Sequence, residues 1–286
     1  MKRLIILFSF LALAFSAQAQ DLSFRLAFTQ TSHAGANSIQ GMAVYGQQLV
    51  QFHDHNTAMT VYDLPDGSFR GELALDSVKT WHNNNVNFST LYYKKGDSYP
   101  LLYAGQENIN EHKVIVWRIT EKARGSFAAE IVQTILLPEP MKMGMYYPNI
   151  MLDNEAGKLY LTGFSRPSWR YATEGNGVQM LRFSLPSLSA GAEVQLSTED
   201  IEARFCDEFR VATQGAVIRK GRLYQAFGVP KYGQTSVVCT DVNTGVRLYE
   251  CALVGVPGEP EGLSFWEDKL VLSTYDGGVY ISNPVW

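Results

Sequence analysis

His53-Asp54-His55 sets two imidazoles two residues apart, and in an extended strand alternate side chains project to one side. With His82 from a neighbouring segment, His53 and His55 form a candidate metal set. Asn83, Asn84, Asn85 and Asn87 add amides, which suit hydroxyls because an amide both donates and accepts. The stretch from Gly163 to Gly177 carries Arg166, Trp169, Arg170 and Tyr171. Aromatic faces stack on sugar rings or bases, while guanidinium groups fork onto carboxylate or phosphate. Glu261 stands alone as an acid at the start of a strand, where a general acid or base needs a pKa raised toward neutrality. These patterns name no cofactor.

Such side chains need a scaffold, and the chain builds one by repetition. Helical periodicity is nearly absent, whereas short β-branched, aromatic and leucine runs recur between Gly, Asn and Asp turns, the pattern of an all-β protein. A unit of roughly 45 to 60 residues appears five times. Its copies open at 40–44, 85–88, 149–152, 214–218 and 261–265. Second strands centre on Leu49-Val50, Leu102-Tyr103, Leu159-Tyr160, Leu223-Tyr224 and Leu270-Val271, and third strands fall at 59–62, 114–119, 178–183, 236–240 and 279–282. Fourth strands are expected at 71–75, 131–136, 193–196 and 247–253, and the fifth copy lacks one. A strand-like segment at 22–28 stands unpaired before the first copy. The expected architecture is therefore a five-bladed β-propeller closed by an N-terminal strand that completes the C-terminal blade and hides two sheet edges. Helix is expected only in connections, with Ser197-Thr198-Glu199-Asp200 as a short helix start.

In such a ring the links from fourth to first and from second to third strands share one face. His33, His53, His55, His82 and His112 all fall there, as do Trp81, Tyr146, Tyr147, Trp169, Tyr171, Tyr232, Tyr275, Lys231, Glu107, Glu208 and Glu259. The opposite face is expected to hold short hairpin turns such as 63–67, 153–157 and 241–245. Long loops over a rigid ring are where ligands bind. The expected site is the mouth of the central channel, lined by Gln40, Asn85, Asn149, Gln214, Glu259 and Glu261, with Trp81, His82, Tyr147, Arg166, Trp169 and Tyr232 around it.

Two resemblances attach to the strand openings. Tyr147-Pro148-Asn149-Ile150-Met151-Leu152-Asp153 followed by Gly157-Lys158-Leu159-Tyr160 resembles a blade of arabinanase-like glycosidases, which hydrolyse glycosides with paired carboxylates. Here the openings carry the amides Gln40, Asn149 and Gln214, which points to a sugar-binding relative rather than a hydrolase. Ser38-Ile39-Gln40-Gly41-Met42, Thr213-Gln214-Gly215-Ala216 and Glu261-Gly262-Leu263 resemble the openings of bacterial glutaminyl cyclotransferases. That family tends to place a Glu after the second strand, where this chain has Gln51.

Met1 to Ala19 reads as a secretory signal: Lys2-Arg3, an apolar run shorter than the roughly 20 residues of a membrane span, then Ser16-Ala17-Gln18-Ala19. Cleavage after Ala19 of the 286-residue chain leaves one propeller domain, residues 20–286, and takes the formal charge from −4 to −6. That charge carries no footprint for nucleic acid or an anionic membrane. The 46% hydrophobic and 18% charged residues exclude a disordered chain. Three cysteines, Cys206, Cys239 and Cys251, leave at least one unpaired within a chain, and Cys239 and Cys251 sit about three residues out of register for a bridge. The expected protein is a periplasmic or secreted monomer that binds a small molecule, glycan fragment or peptide at the channel mouth without turning it over. The alternative is an enzyme, glycoside hydrolase-like or glutaminyl cyclotransferase-like, that uses Glu261 as general acid or base.

Overall fold

Alternating apolar residues pair strand to strand into five four-stranded antiparallel units in a computed structural model that describes residues 22–30, 39–53, 58–75, 85–107 and 112–285. Residues 1–19, the expected signal, and His33, His55, Trp81 and His82 lie outside the described residues.

The N-terminal strand β1 (Phe24–Thr29) joins the last blade. Blade 1 is β2 (Ile39–Tyr45), β3 (Gln48–His53), β4 (Ala58–Asp63) and β5 (Ser68–Ala74). Blade 2 is β6 (Val86–Phe88), β7 (Leu102–Glu107), β8 (His112–Ala123) and β9 (Ser126–Leu136). A one-turn helix, α1 (Pro140–Met143), leads into blade 3, formed by β10 (Tyr146–Asp153), β11 (Lys158–Phe164) and β12 (Val178–Ser184). Blade 4 is β15 (Thr213–Arg219), β16 (Arg222–Phe227), β17 (Ser236–Asp241) and β18 (Arg247–Ala252). Blade 5 is β19 (Pro260–Trp266), β20 (Lys269–Thr274) and β21 (Gly278–Pro284), completed by β1.

This is the five-bladed propeller that the repeats predict, and its ring closes as expected. Phe24 pairs with Ser282, Arg25 with Ile281 and Leu26 with Tyr280, and backbone bonds Gln30 N to Gly277 O (2.8 Å) and Asn283 N to Ser23 O (3.0 Å) extend the seam. Each adjoining pair of blades shares an apolar layer: Val50, Phe52 and Ile115 between blades 1 and 2, Val116, Leu161 and Phe183 between 2 and 3, Leu272 and Val237 between 4 and 5.

Two expectations need correction. Residues 193–196 do not supply the fourth strand of blade 3. Instead β13 (Glu193–Gln195) runs parallel to β9 as an extra outer strand of blade 2, with Glu193 opposite Thr134. Leu196 follows it into the apolar layer between blades 2 and 3. The fourth strand of blade 3 is β14 (Ala203–Asp207), paired from Val178 with Asp207 to Arg182 with Ala203. Between them Thr198–Asp200 forms a single 3-10 turn, where Asp200 accepts from Ser197 N at 2.7 Å. The second correction concerns the opposite face. Its connection from β6 to β7 is a 13-residue loop, 89–101, in which Leu91, Tyr92 and Tyr93 are exposed and Tyr99 is buried against Phe88 and Phe127.

Cys239 faces Tyr249 across the β17–β18 ladder and Cys251 faces Val237, so the two are displaced by two positions, and none of the three cysteines forms a disulfide among the described residues.

Candidate functional site

Four of the five strand openings are β-bulges. Register slips occur between Ile39 and Met42, Tyr146 and Asn149, Thr213 and Ala216, and Pro260 and Gly262. A bulge leaves carbonyls out of the ladder and re-aims side chains. The polar residues at the openings meet those carbonyls. Gln51 Nε2 donates to Gln40 O (2.6 Å) and Gly41 O (3.1 Å), and Asn149 Nδ2 donates to Thr213 O (3.0 Å) and Gln214 O (3.3 Å) of the next blade. Asn85 Nδ2 donates to Ile150 O of blade 3, while Asn85 Oδ1 accepts from Ala216 N of blade 4 at 3.1 Å. The bulge glycine allows this crowding: a Cβ on Gly215 would lie 2.4 Å from Leu263 N.

Sequence reasoning reads Asn85 and Asn149 as ligand amides. The structure uses them to brace the inner ring, and the channel is crossed by Asn85 rather than left open at that level. Gln40 differs: it is 3% exposed, and its Oε1 meets no hydrogen-bond donor among the described residues.

A second group lies beside this ring. Gln214 Nε2 donates to Glu259 Oε1 at 2.8 Å. Burial raises the Glu259 carboxyl above the ordinary glutamate value, and the Gln214 bond opposes that rise. Glu261, two residues on, is 4% exposed at the opening of β19.

The aromatic loop between β11 and β12 is brought to the same place through its backbone. Trp169 O accepts from Ala212 N at 3.0 Å, and Ala212 O accepts from Gly228 N at 3.1 Å, two residues before Gln214. Ala212 (φ 45°) and Tyr147 (φ 54°) both occupy the left-handed region, which costs a residue with a Cβ on the order of 1 kcal/mol or more. Ala212 stands immediately before β15, and Tyr147 lies within the bulge at the start of β10. Trp169, Tyr147 and Phe209 pack half-buried on Phe164, Val178 and Phe227. Trp169 meets Tyr232 edge-on with centroids 6.1 Å apart, and the Arg170 guanidinium lies 4.3 Å from the Trp169 ring and 5.6 Å from that of Tyr232. So Tyr147 and Trp169 share one apolar cluster, and Arg170 joins Trp169 to Tyr232. The sequence names Arg170 within the loop, but only the stacking shows its part. Arg166 is exposed and lies against Gly175.

Of the histidines, His53 is buried with its Nε2 2.8 Å from Thr60 Oγ1. His112 begins β8, and desolvation lowers its pKa. Among the described residues no three His, Cys, Asp or Glu side chains group for a metal ion. A shallow crevice on the blade 3 and 4 seam, lined by Thr162, Phe205, Cys206, Arg210, Gln225 and Phe227, is separate from the Gln214 and Glu259 pair.

Fold and site together define a five-bladed β-propeller with an amide-braced ring and an aromatic rim. No protein-family profile and no curated protein matches the sequence. Among solved structures, the glutaminyl cyclase of Myxococcus xanthus aligns with TM-score 0.52 and 10% identity over 92% of this chain and 97% of that one. The PQQ-bound aldose sugar dehydrogenase of Streptomyces coelicolor aligns with TM-score 0.52 and 13% identity over 92% and 98%. At these identities the likeness is one of fold, and it agrees with the resemblance carried by the strand openings.

Proposed function

We propose that this chain is a secreted propeller that binds a small molecule, glycan fragment or peptide on the rim of blades 3 to 5, without turning it over. The observation that carries this reading is the tie between Trp169 O and Ala212 N, which holds an aromatic loop beside Gln214 and Glu259 on a strained, pre-set backbone. Pre-organised aromatic groups bind without the cost of ordering them on contact. Gln40 Oε1, buried without a donor among the described residues, adds an acceptor suited to a ligand N–H or O–H. The braced channel limits the ligand to its mouth and rim.

A second reading, catalysis, is favoured by one observation: Glu259 holds its proton more tightly than an ordinary glutamate and touches Gln214. A carboxyl of that kind suits a general acid. Glu261 is the other carboxyl of this reading. A panel of glycosides, oligosaccharides and peptides with N-terminal glutamine separates the two. Saturable thermal stabilisation lost in Trp169→Ala, with no turnover, supports the binder. Turnover abolished by Glu259→Gln or Glu261→Gln replaces it with the enzyme. Secretion is checked by the mass of the exported protein, expected to begin at Gln20.

A further inference from the structure

The charges of the rim narrow the ligand class. Arg166, Arg170 and Lys231 make no ion pair among the described residues, although the chain has more acids than bases. Carboxylates on the seam of blades 3 and 4 are engaged by other arginines. Arg210 holds Asp207 (2.9 Å), Glu208 (3.1 Å) and Glu250 (3.3 Å), and Arg247 shares Glu208 and Glu250. Glu174, the loop's own acid, is exposed and forms no ion pair among the described residues. Two of these cations are held by rings instead: Arg170 by Trp169 and Tyr232, and Lys231 over Tyr232 at 5.6 Å. A guanidinium whose face is covered by a ring keeps its N–H edge for a planar oxyanion.

The loop that carries Arg166 and Arg170 spends several of its polar groups on itself. Ser165 Oγ accepts from Gly177 N (2.9 Å), Asn176 Nδ2 donates to Ser168 O (2.7 Å), Asn176 Oδ1 accepts from Arg166 N (3.1 Å) and Asn176 N donates to Thr173 O (2.9 Å). A peptide added as a strand needs free backbone groups, and this loop directs its own inward. What it presents is charge and ring: Tyr171 is 65% exposed beside Arg170. The C–H face of a pyranose packs on a phenol face.

From this geometry we infer that the rim ligand is an acidic saccharide, its carboxylate forked by Arg170 and its ring resting on the tyrosines, a conclusion that depends on the rim being the binding site. Titration calorimetry of the full mature chain with a galacturonate tetramer, a galactose tetramer, tetraglutamate and sodium sulfate tests it. The galacturonate tetramer is expected to bind at least about tenfold tighter than the galactose tetramer, with affinity falling as salt rises. Arg170→Lys, which keeps charge but not the fork, should weaken it about tenfold, and Arg170→Gln further. Equal binding of both tetramers, tighter binding of tetraglutamate or sulfate, or no binding at all overturns the acidic-saccharide assignment. If galacturonate binds unchanged in Trp169→Ala with native melting, the rim itself is the wrong site. Loss of both tetramers in Trp169→Ala, with equal affinities in the parent, keeps the rim and removes only its preference for acid.

Discussion

The side-chain oxygen of Asn85 in blade 2 accepts a hydrogen bond from the backbone N–H of Ala216 in blade 4, at 3.1 Å, across the intervening blade. The same amide donates to Ile150 O of blade 3, so one buried side chain ties three blades at the axis. Replacing Asn85 by Ala orphans a buried N–H and a carbonyl, each worth about 1–3 kcal/mol. Asn85→Ala should therefore lose about 2–4 kcal/mol in urea unfolding, and Asn85→Asp, which at pH 7 sets a buried carboxylate against the Ile150 carbonyl, should lose at least as much.

Ring closure depends on β1. Deleting residues 22–30 exposes the β21 edge and removes Phe24 from the layer between blades 4 and 5. The melting midpoint should fall by at least about 10 °C, with loss of sharpness. An unchanged midpoint would mark the segment as a dispensable tail.

Glu259 gives a pH signature with a definite sign. Its folded pKa is raised, so the folded state binds this proton more tightly than the unfolded chain does. Its favourable contribution is complete below the ordinary glutamate value and is lost as pH rises through the folded value. Glu259→Gln preserves an oxygen to accept from Gln214 and removes the titration. The variant should melt above the parent at pH 7 and together with it near pH 4, as followed by calorimetry across that range.

The cysteines should differ in reactivity. Cys206 is exposed, whereas Cys239 is buried and its thiol is pushed up to about 11 by desolvation. A thiol in that state is protonated and inert near neutrality. Iodoacetamide followed by peptide mass analysis should label Cys206 in the native protein and Cys239 only after unfolding. Non-reducing digests should contain no peptide that links Cys239 to Cys251, given their two-position offset.

The five openings were legible because each repeats a polar strand start followed by a Leu-centred second strand, and repetition reinforces weak local signals. The closing strand was legible as an alternating segment left over beside a copy that lacks its fourth strand. The fourth strand of blade 3 was not, because Ala203-Arg204-Phe205-Cys206-Asp207 is short and half polar, while Glu193-Val194-Gln195-Leu196 looks more strand-like and does form a strand, on the wrong blade. Its parallel pairing with β9 is a tertiary choice that local pattern does not encode. The residue types at the site were readable, but their partners were not. Asn85 and Asn149 are identical in sequence terms to ligand amides, and only the bulge carbonyls opposite them show that they brace the ring. Trp169 and Tyr232 lie 63 positions apart, and nothing in either loop alone announces that Arg170 bridges them.

The central claim is that the rim of blades 3 to 5 is where ligand binds. Hydrogen exchange measured with and without the galacturonate tetramer, or whichever panel member stabilises the protein, tests it most directly. The account predicts protection concentrated in residues 165–177, 208–214 and 228–233. Protection confined to the opposite face, such as the 89–101 loop, with no change along those three segments, would contradict it.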